Sequence, residues 1–182
     1  MKFTPTRIAD VVIIEPALYG DARGFFMETW HQEKFADAGL PASFVQDNHS
    51  GSSAGILRGL HYQAVRPQGK LVRVTAGTVF DVAVDLRQGS PTFGQWVGEW
   101  LSRENRKQLW IPPGFAHGFL VRSEWAEVVY KCTELYALEH ERAVAWDDPD
   151  LAIAWPLEAG ERPVLSAKDA AAGPWRVAEL FV

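Results

Sequence analysis

KLVRVTAGTVFDVAVD, residues 70–85, contains two short β-rich runs separated by Gly77. Residues 71–75 and 78–85 are rich in Val, Thr and Phe, which favour strands, and a glycine between two such runs marks a turn. Five further runs of this kind occupy residues 11–14, 94–101, 108–111, 118–121 and 127–132. This spacing of short strands predicts an all-β sandwich or barrel.

Helical signals are few. Residues 32–38, closed by Gly39, predict one short peripheral helix, and residues 166–172 predict a second with Ser166 as its N-cap. No repeat, heptad or linker tract interrupts the chain. With 182 residues and 47% hydrophobic content, including eight Trp and ten Phe, the chain is expected to form one domain over residues 1–182.

The charge distribution argues against a polyanionic partner. The net charge is -5 and no run of Lys or Arg occurs, so we expect neither nucleic-acid nor membrane binding. Charges and Pro5 break up any signal-peptide core near the N-terminus, and no segment has the length of a membrane span. A cytoplasmic location is expected. Cys132, the single cysteine, is interpreted as a buried structural thiol rather than a nucleophile.

Strand parity identifies two polar residues on apolar faces, because successive side chains of a strand alternate sides. Lys70 shares its face with Val72 and Val74, which makes it a functional candidate. The alternative is a strand-end lysine whose ammonium reaches water. Tyr130 shares its face with Val128 and therefore points inward, where a core tyrosine with a bonded hydroxyl is the alternative interpretation.

Two segments, residues 55–77 and 112–117, resemble the cupin signature and imply a jelly-roll fold. A metal-binding cupin supplies two histidines and an acid from the first segment and another histidine from the second. Here His61 remains, Gln63 replaces the second histidine, and Lys70 brings a positive charge to a stretch without Asp or Glu. This donor set is poor for a divalent ion, so we expect no metal.

The residues that remain suit proton abstraction beside a carbonyl group. A base removes the proton, a cation stabilises the enolate oxygen, and an acid returns a proton. At neutral pH histidine can act as the base and tyrosine as the acid. The expected inward set, in a cavity whose lining is free of acidic residues, comprises His61, Lys70, His117 and Tyr130.

The position of Arg58 conflicts with simple strand alternation. On an ideal strand Arg58 and His61 have opposite parity, so both can reach one cavity only where the strand slips by one residue. Gly59 lies between them, and a glycine within a strand often marks a bulge. We therefore predict a bulge at Gly59.

Longer strings identify the chain as similar to the dTDP-4-dehydrorhamnose 3,5-epimerase family, and they follow in order along nearly the whole sequence. They are DARGFFME (21–28), VQDNHS (45–50), LRGLHYQ (57–63), PPGFAHGF (112–119), YK (130–131) and LSAKD (165–169). The resemblance implies a cofactor-independent enzyme that inverts C3 and C5 of dTDP-4-dehydro-6-deoxy-D-glucose.

The resemblance also implies residue roles. His61 would be the proton acceptor with Asp169 on its other nitrogen, Tyr130 the proton donor, and Lys70 the stabiliser of the C4 enolate. Family members are homodimers with exchanged N-terminal strands, so one chain could contribute to its neighbour's site. The positions implied to bind or pack against the dTDP-linked sugar are Arg23, Phe26, Glu28, Gln46, Asp47, Asn48, Arg58, His117, Tyr136, Glu141 and Lys168.

Several alternatives stay open at this point. Leu135 stands where many relatives carry a second aromatic residue, which could alter the carbon that is inverted. An enzyme acting at C3 only or C5 only would keep the same base and nucleotide contacts. A metal-dependent cupin would need more ligands than the sequence offers, and a non-catalytic sugar-binding jelly roll would show no solvent exchange. His31, His49 and His140 lie in polar stretches and are expected at the surface.

Overall fold

Two facing β-sheets form the body of the computed structural model, which describes residues 1–182. Its two α-helices are short, α1 at Gln32–Asp37 and α2 at Ala167–Ala170, and single 3-10 turns lie at Leu138–His140 and Trp175–Val177. The strands are β1 Lys2–Pro5, β2 Val12–Glu15, β3 Leu18–Asp21, β4 Gly24–Met27, β5 Gln46–Ser53, β6 Leu57–Gln63, β7 Lys70–Ala76, β8 Thr78–Asp85, β9 Trp96–Ser102, β10 Gln108–Ile111, β11 Phe115–Val121, β12 Trp125–Cys132 and β13 Glu141–Ala143.

The strand order places sequentially distant segments side by side. One sheet has six strands in the order β1-β2-β10-β7-β12-β5, the other has five in the order β13-β6-β11-β8-β9, and β3 and β4 form a separate hairpin. The pairings are antiparallel throughout the named strands. The predicted all-β jelly-roll sandwich with few helices is confirmed.

The main core lies between the two sheets. Val72 and Val128 from the six-stranded sheet pack in one cluster with Val79, Phe115 and Phe119 from the five-stranded sheet. Burial of these alternating apolar residues supplies the driving force that holds the sheets together.

Both outer faces are also partly covered. The chain after β13 packs over the five-stranded sheet, where Trp155 and Val144 join a cluster with Leu60 and Val82. On the six-stranded sheet, Phe35 of α1 is fully buried in a smaller cluster that includes Trp110 and Leu71. Polar side chains inside the sandwich are therefore exceptions that need partners.

The sequence located most central strands within a few residues. The run at 78–85 coincides with β8, the run at 108–111 with β10, and the predicted helix at 32–38 with α1 plus its C-cap. Ser166 caps α2 as predicted, although α2 ends at Ala170 instead of continuing to residue 172. Cys132 is buried, as expected, and no helix is long and apolar enough to cross a membrane.

A buried acid at the end of β8 fixes the turn into β9. Asp85 is fully buried, and its carboxylate accepts hydrogen bonds from Arg87 at 2.8 and 2.9 Å, Ser90 at 2.6 Å and Thr92 at 2.7 Å. Burial alone raises the pKa of this carboxyl, but the hydrogen bonds outweigh it and lower the pKa to about 2. The charged form of Asp85 is thus part of the folded structure.

We expect Asp85→Asn to lower the free energy of unfolding by about 2–4 kcal/mol at neutral pH, because Arg87 loses its buried partner. The folded pKa lies below the solvated value of 3.8, so the contribution of Asp85 is present above about pH 4 and lost as the pH falls toward 2. Urea unfolding at several pH values measures both effects. Glu15→Gln, which removes an exposed ion pair with Lys2, is the control and should shift the midpoint little. Equal midpoints for the two variants would contradict the expectation.

Candidate active site

A bulge in β6 turns Arg58 and His61 to the same side. His61 pairs with His117 and Arg58 pairs with Phe119, so β6 has one residue more than β11 over this stretch. A Cβ on Gly59 would lie 2.5 Å from the Cα of Gly118, which excludes any other residue there. The predicted bulge is confirmed, and Arg58 and His61 line one cavity of about 400 Å³.

His61 forms a partly buried pair with a residue far along the chain. Its Nε2 lies 2.5 Å from Oδ1 of Asp169, whose side chain is 4% exposed. Ser166 caps α2 by accepting a hydrogen bond from the Asp169 amide at 3.1 Å, which sets the start of the helix and the direction of the carboxylate. With Nε2 committed to Asp169, Nδ1 is the ring nitrogen that can accept a proton.

Burial lowers the pKa of His61, and the Asp169 carboxylate partly opposes this effect. Smaller lowering effects come from the positive charges of Lys70 and Lys168. A lowered pKa leaves the imidazole neutral at neutral pH, which is the form that a base requires.

Lys70 and Tyr130 stand on the opposite wall, because β7 and β12 belong to the six-stranded sheet whereas β6 belongs to the five-stranded one. The Lys70 ammonium lies 5.9 Å from the centre of the Tyr130 ring. Val72 and Val128, on the same faces as these residues, are core members, so the inward orientation predicted from parity is confirmed. Burial lowers the pKa of Lys70 and raises that of Tyr130, which keeps the phenol protonated.

His117 occupies the sandwich interior with an unexpected partner. Its Nε2 lies 2.9 and 3.0 Å from the two carboxylate oxygens of Asp81, and Asp81 is completely buried. The expectation of a lining free of acids was therefore wrong. Asp81 lies on β8 beside Val82 in an apolar run, and an acid on the inward face of such a run was the signal that could have revealed it.

An edge of the cavity is built from three polar side chains. Glu141 at the start of β13 forms an ion pair with Lys168, and it accepts a hydrogen bond of 2.8 Å from the Tyr136 hydroxyl. Lys168 lines the same cavity as His61 and Asp169. The Tyr136 side of the site is open, since this residue is 49% exposed.

Gln46, Asp47 and Asn48 divide between the two faces of β5. Gln46 and Asn48 are partly buried and share a face, and the Gln46 amide donates to Asn48 Oδ1 at 3.0 Å. Asp47 points to the other face, where it pairs with Lys131 at 3.0 Å. Within one chain, Asp47 therefore does not join the His61 neighbourhood.

Arg23, Phe26 and Glu28 also lie apart from His61 in the single chain. Arg23 and Phe26 belong to the β3–β4 hairpin and are exposed, and Arg23 pairs with Asp21 at 2.5 Å. Glu28 follows the hairpin and pairs with Lys34 at 2.7 Å.

Gln63 stands at the position where metal-binding cupins carry their second histidine ligand. Its buried carboxamide binds the backbone of Arg66, Leu135 and Ala137. Nowhere in the chain do three His, Cys, Asp or Glu side chains come together in a group that could hold a metal ion. His49 lies outside on β5 with Glu127, as expected for a surface histidine.

This arrangement can perform proton transfer across a bound carbonyl compound. A neutral imidazole projects from one sheet and a protonated phenol from the other, with an ammonium beside the phenol. An oxygen that becomes negatively charged near Lys70 would be stabilised in a partly desolvated environment.

Comparison with known proteins finds similar sequences and structures. The family model described as dTDP-4-dehydrorhamnose 3,5-epimerase matches residues 5–176. The dTDP-4-dehydrorhamnose 3,5-epimerase of Pseudomonas aeruginosa is 62% identical over 170 residues, covering 93% of each chain. The crystal structure of a Legionella pneumophila dTDP-6-deoxy-D-glucose-3,5-epimerase with dTDP-4-keto-L-rhamnose superposes with a TM-score of 0.95 at 53% identity, over 99% of this chain and 97% of that one. A 3'-monoepimerase from Streptomyces bikiniensis in complex with dTDP-quinovose has a TM-score of 0.89 at 36% identity, over 96% and 88% of the two chains.

We expect Asp169→Asn to lower the pKa of His61 further, because the substitution removes the carboxylate that opposes the effect of burial. NMR titration of the His61 imidazole measures the pKa directly. Asp47→Asn, which removes an acid from the outer face of β5, is the control and should leave the His61 titration unchanged. A His61 pKa that stays constant or rises in Asp169→Asn would refute the assigned coupling.

Proposed function

The chain belongs to the dTDP-4-dehydrorhamnose 3,5-epimerase family and inverts C3 and C5 of dTDP-4-dehydro-6-deoxy-D-glucose; we propose that His61 and Tyr130 carry the two proton transfers from opposite walls of the sandwich. The observation that supports these roles is the position of His61, paired with Asp169 of α2, on one sheet and of Tyr130 with Lys70 on the other. Inversion needs a base and an acid on opposite faces of the same carbon.

The proposed reaction begins at His61. Its Nδ1 takes the proton from a carbon next to the C4 ketone, and the electron pair of the broken C–H bond moves into an enolate with its charge on O4. Lys70 stabilises this oxygen, and Tyr130 donates its hydroxyl proton to the opposite face of the carbon. Solvent then removes the proton from His61 and returns one to Tyr130, which prepares the site for the second carbon or the next substrate.

The protonation states favour this direction of transfer. Burial lowers the pKa of His61, so the imidazole is available as a base, and burial raises the pKa of Tyr130, so the phenol carries its proton. Asp169 holds the imidazole in one tautomer and stabilises the imidazolium formed after abstraction. Asp81 is assigned a positioning role through its contact with His117.

Two cations at the cavity edge suit the diphosphate of a nucleotide sugar. Arg58 lines the same cavity as Lys168, and its Nε donates to Ser52 at 2.9 Å. A guanidinium can bind phosphate oxygens in a two-pronged manner. Tyr136, Gln46 and Asn48 complete the proposed binding surface on the adjacent loop and strand.

We assign the remaining site positions to a second copy of the chain. The β3–β4 hairpin exposes Leu18, Tyr19, Phe25 and Phe26, at 45–68% of their surfaces, with Tyr19 beside Phe26 on one face and Leu18 and Phe25 on the other. Large apolar side chains exposed on both faces of a hairpin are suited to an interaction surface. A homodimer with exchanged N-terminal segments would cover this hairpin and bring Arg23, Phe26 and Glu28 to the neighbour's substrate. We also propose that the protein works in the cytoplasm and that its product supplies rhamnose for cell-wall polysaccharide or O-antigen.

Solvent exchange tests the chemistry. In D2O the protein should incorporate deuterium at C3 and C5 of the 4-keto sugar, as read by NMR. His61→Ala should reduce exchange at both carbons by about 10³-fold or more, whereas Tyr130→Phe should retain abstraction and reduce inverted product by about 10²-fold. His49→Gln, on the outer face of β5, should leave both rates unchanged. Exchange at one carbon alone would assign a monoepimerase, and no exchange would exclude an epimerase.

Mixed dimers test the shared site. Arg23→Ala and His61→Ala homodimers should each be almost inactive, but co-expression should restore activity to about a quarter of wild type, since half of the dimers carry one intact site. Activity is measured per dimer in the unseparated mixture, and the heterodimer isolated through differently tagged chains should show about half of the wild-type activity. Co-expressed chains that remain as inactive as either parent would show that Arg23 serves its own chain or neither.

A further inference from the structure

The carboxamide of Gln63 is almost fully buried, and both its nitrogen and its oxygen form hydrogen bonds with the backbone. Gln63 is 3% exposed, its Nε2 donates to the carbonyls of Arg66 at 2.8 Å and Leu135 at 3.3 Å, and its Oε1 accepts from the Ala137 amide at 2.8 Å. A carboxamide offers two donor hydrogens and an acceptor oxygen, and each has a protein partner here. None of these atoms remains for a ligand, yet the residue lies two positions from His61.

Two of these hydrogen bonds flank Tyr136. Leu135 and Ala137 are its chain neighbours, and the Tyr136 amide itself donates to Oε1 of Gln46 at 2.8 Å. At the other end of the side chain, the Tyr136 hydroxyl donates to Glu141 at 2.8 Å. The ring is half exposed but is held at its backbone and at its hydroxyl, so little conformational freedom remains to be lost when a ligand packs against it.

The held ring borders the catalytic pair. Glu141 contacts Lys168, which precedes Asp169 in α2 and lines the His61 cavity. Glu141 is also the cross-strand neighbour of Gln63 in the pairing of β13 with β6. The loop that carries Tyr136 is thus tied at both ends to the strand that carries the base.

We propose that Gln63 is a positioning residue for substrate binding, which holds Tyr136 as a preformed wall of the nucleotide-sugar site. The inference rests on the proposed function, because it concerns the substrate of that same site. The position that supplies a metal ligand in metal-binding cupins here anchors the loop instead. Gln63 acts through Tyr136 and takes no part in proton transfer.

Binding of dTDP-glucose, which lacks the 4-keto group and cannot react, isolates this role. Gln63→Leu should weaken dTDP-glucose binding by about 10-fold or more in calorimetry and raise KM similarly, while kcat changes by less than about 3-fold. Tyr136→Ala should weaken binding in the same way, and the double variant should bind no more weakly than Tyr136→Ala alone. Additive losses in the double variant would overturn the proposal.

Gln68→Leu is the matched control. Its Nε2 donates to the carbonyl of Glu134 at 2.8 Å, so it anchors the same loop without flanking Tyr136. It should keep dTDP-glucose affinity within about 2-fold of wild type. Equal effects of Gln63→Leu and Gln68→Leu would reduce Gln63 to a general support of the loop and overturn the proposal.

Gln63→Glu keeps the test decisive if the leucine variant does not fold. A carboxylate can accept from Ala137 but cannot donate to the carbonyls of Arg66 and Leu135, whereas a protonated carboxyl regains one donor. Affinity for dTDP-glucose relative to wild type should therefore rise as the pH is lowered from about 8 to about 6. A pH-independent ratio, or wild-type affinity throughout, would overturn the proposal. Wild-type protein without deuterium exchange would instead refute the epimerase function itself.

Discussion

The site depends on one local constraint, the close approach of β6 and β11 at Gly59 and Gly118. Leu57, Leu60 and Tyr62 all pack in the cluster on the outer face of the five-stranded sheet. Strict alternation cannot place both Leu57 and Leu60 on that face, and the extra residue at Gly59 resolves the conflict. The same bulge that satisfies the outer core turns Arg58 and His61 inward, so packing and chemistry share one backbone irregularity.

Inside the sandwich, most polar side chains of the site form a hydrogen bond or an ion pair with another side chain. His61 is paired with Asp169 and His117 with Asp81, which offsets the cost of removing these groups from water. Lys70 differs, because its ammonium lies near the Tyr130 ring and has no carboxylate in an ion pair. A cation that has no direct ion pair in a partly desolvated cavity is suited to a substrate oxygen whose charge appears only during the reaction.

Strand parity and turn signals were enough to predict most of the central strands, the inward orientation of Lys70 and Tyr130, and the bulge at Gly59. They could not predict β5, because residues 46–53 are polar or small on both faces and lack an apolar alternation. The pairing of His61 with Asp169 spans the chain, and only the family resemblance suggested it. Asp81 shares its face of β8 with the core residues Val79 and Ala83, so parity could have placed it inside, but the sequence does not show its pairing with His117.

Asp81 lies in the interior without forming an ion pair with Lys70, and its charge opposes the effect of burial by raising the pKa of that lysine, which favours the ammonium form. Both carboxylate oxygens of Asp81 lie within hydrogen-bond distance of His117 Nε2, so this acid is committed to β11 and not to Lys70 on the opposite sheet. An ion pair between Asp81 and Lys70 would neutralise the field at O4 before the enolate formed. Placing the acid behind a histidine on one wall and the lysine on the other keeps the ammonium available, and this separation follows from the jelly-roll topology itself.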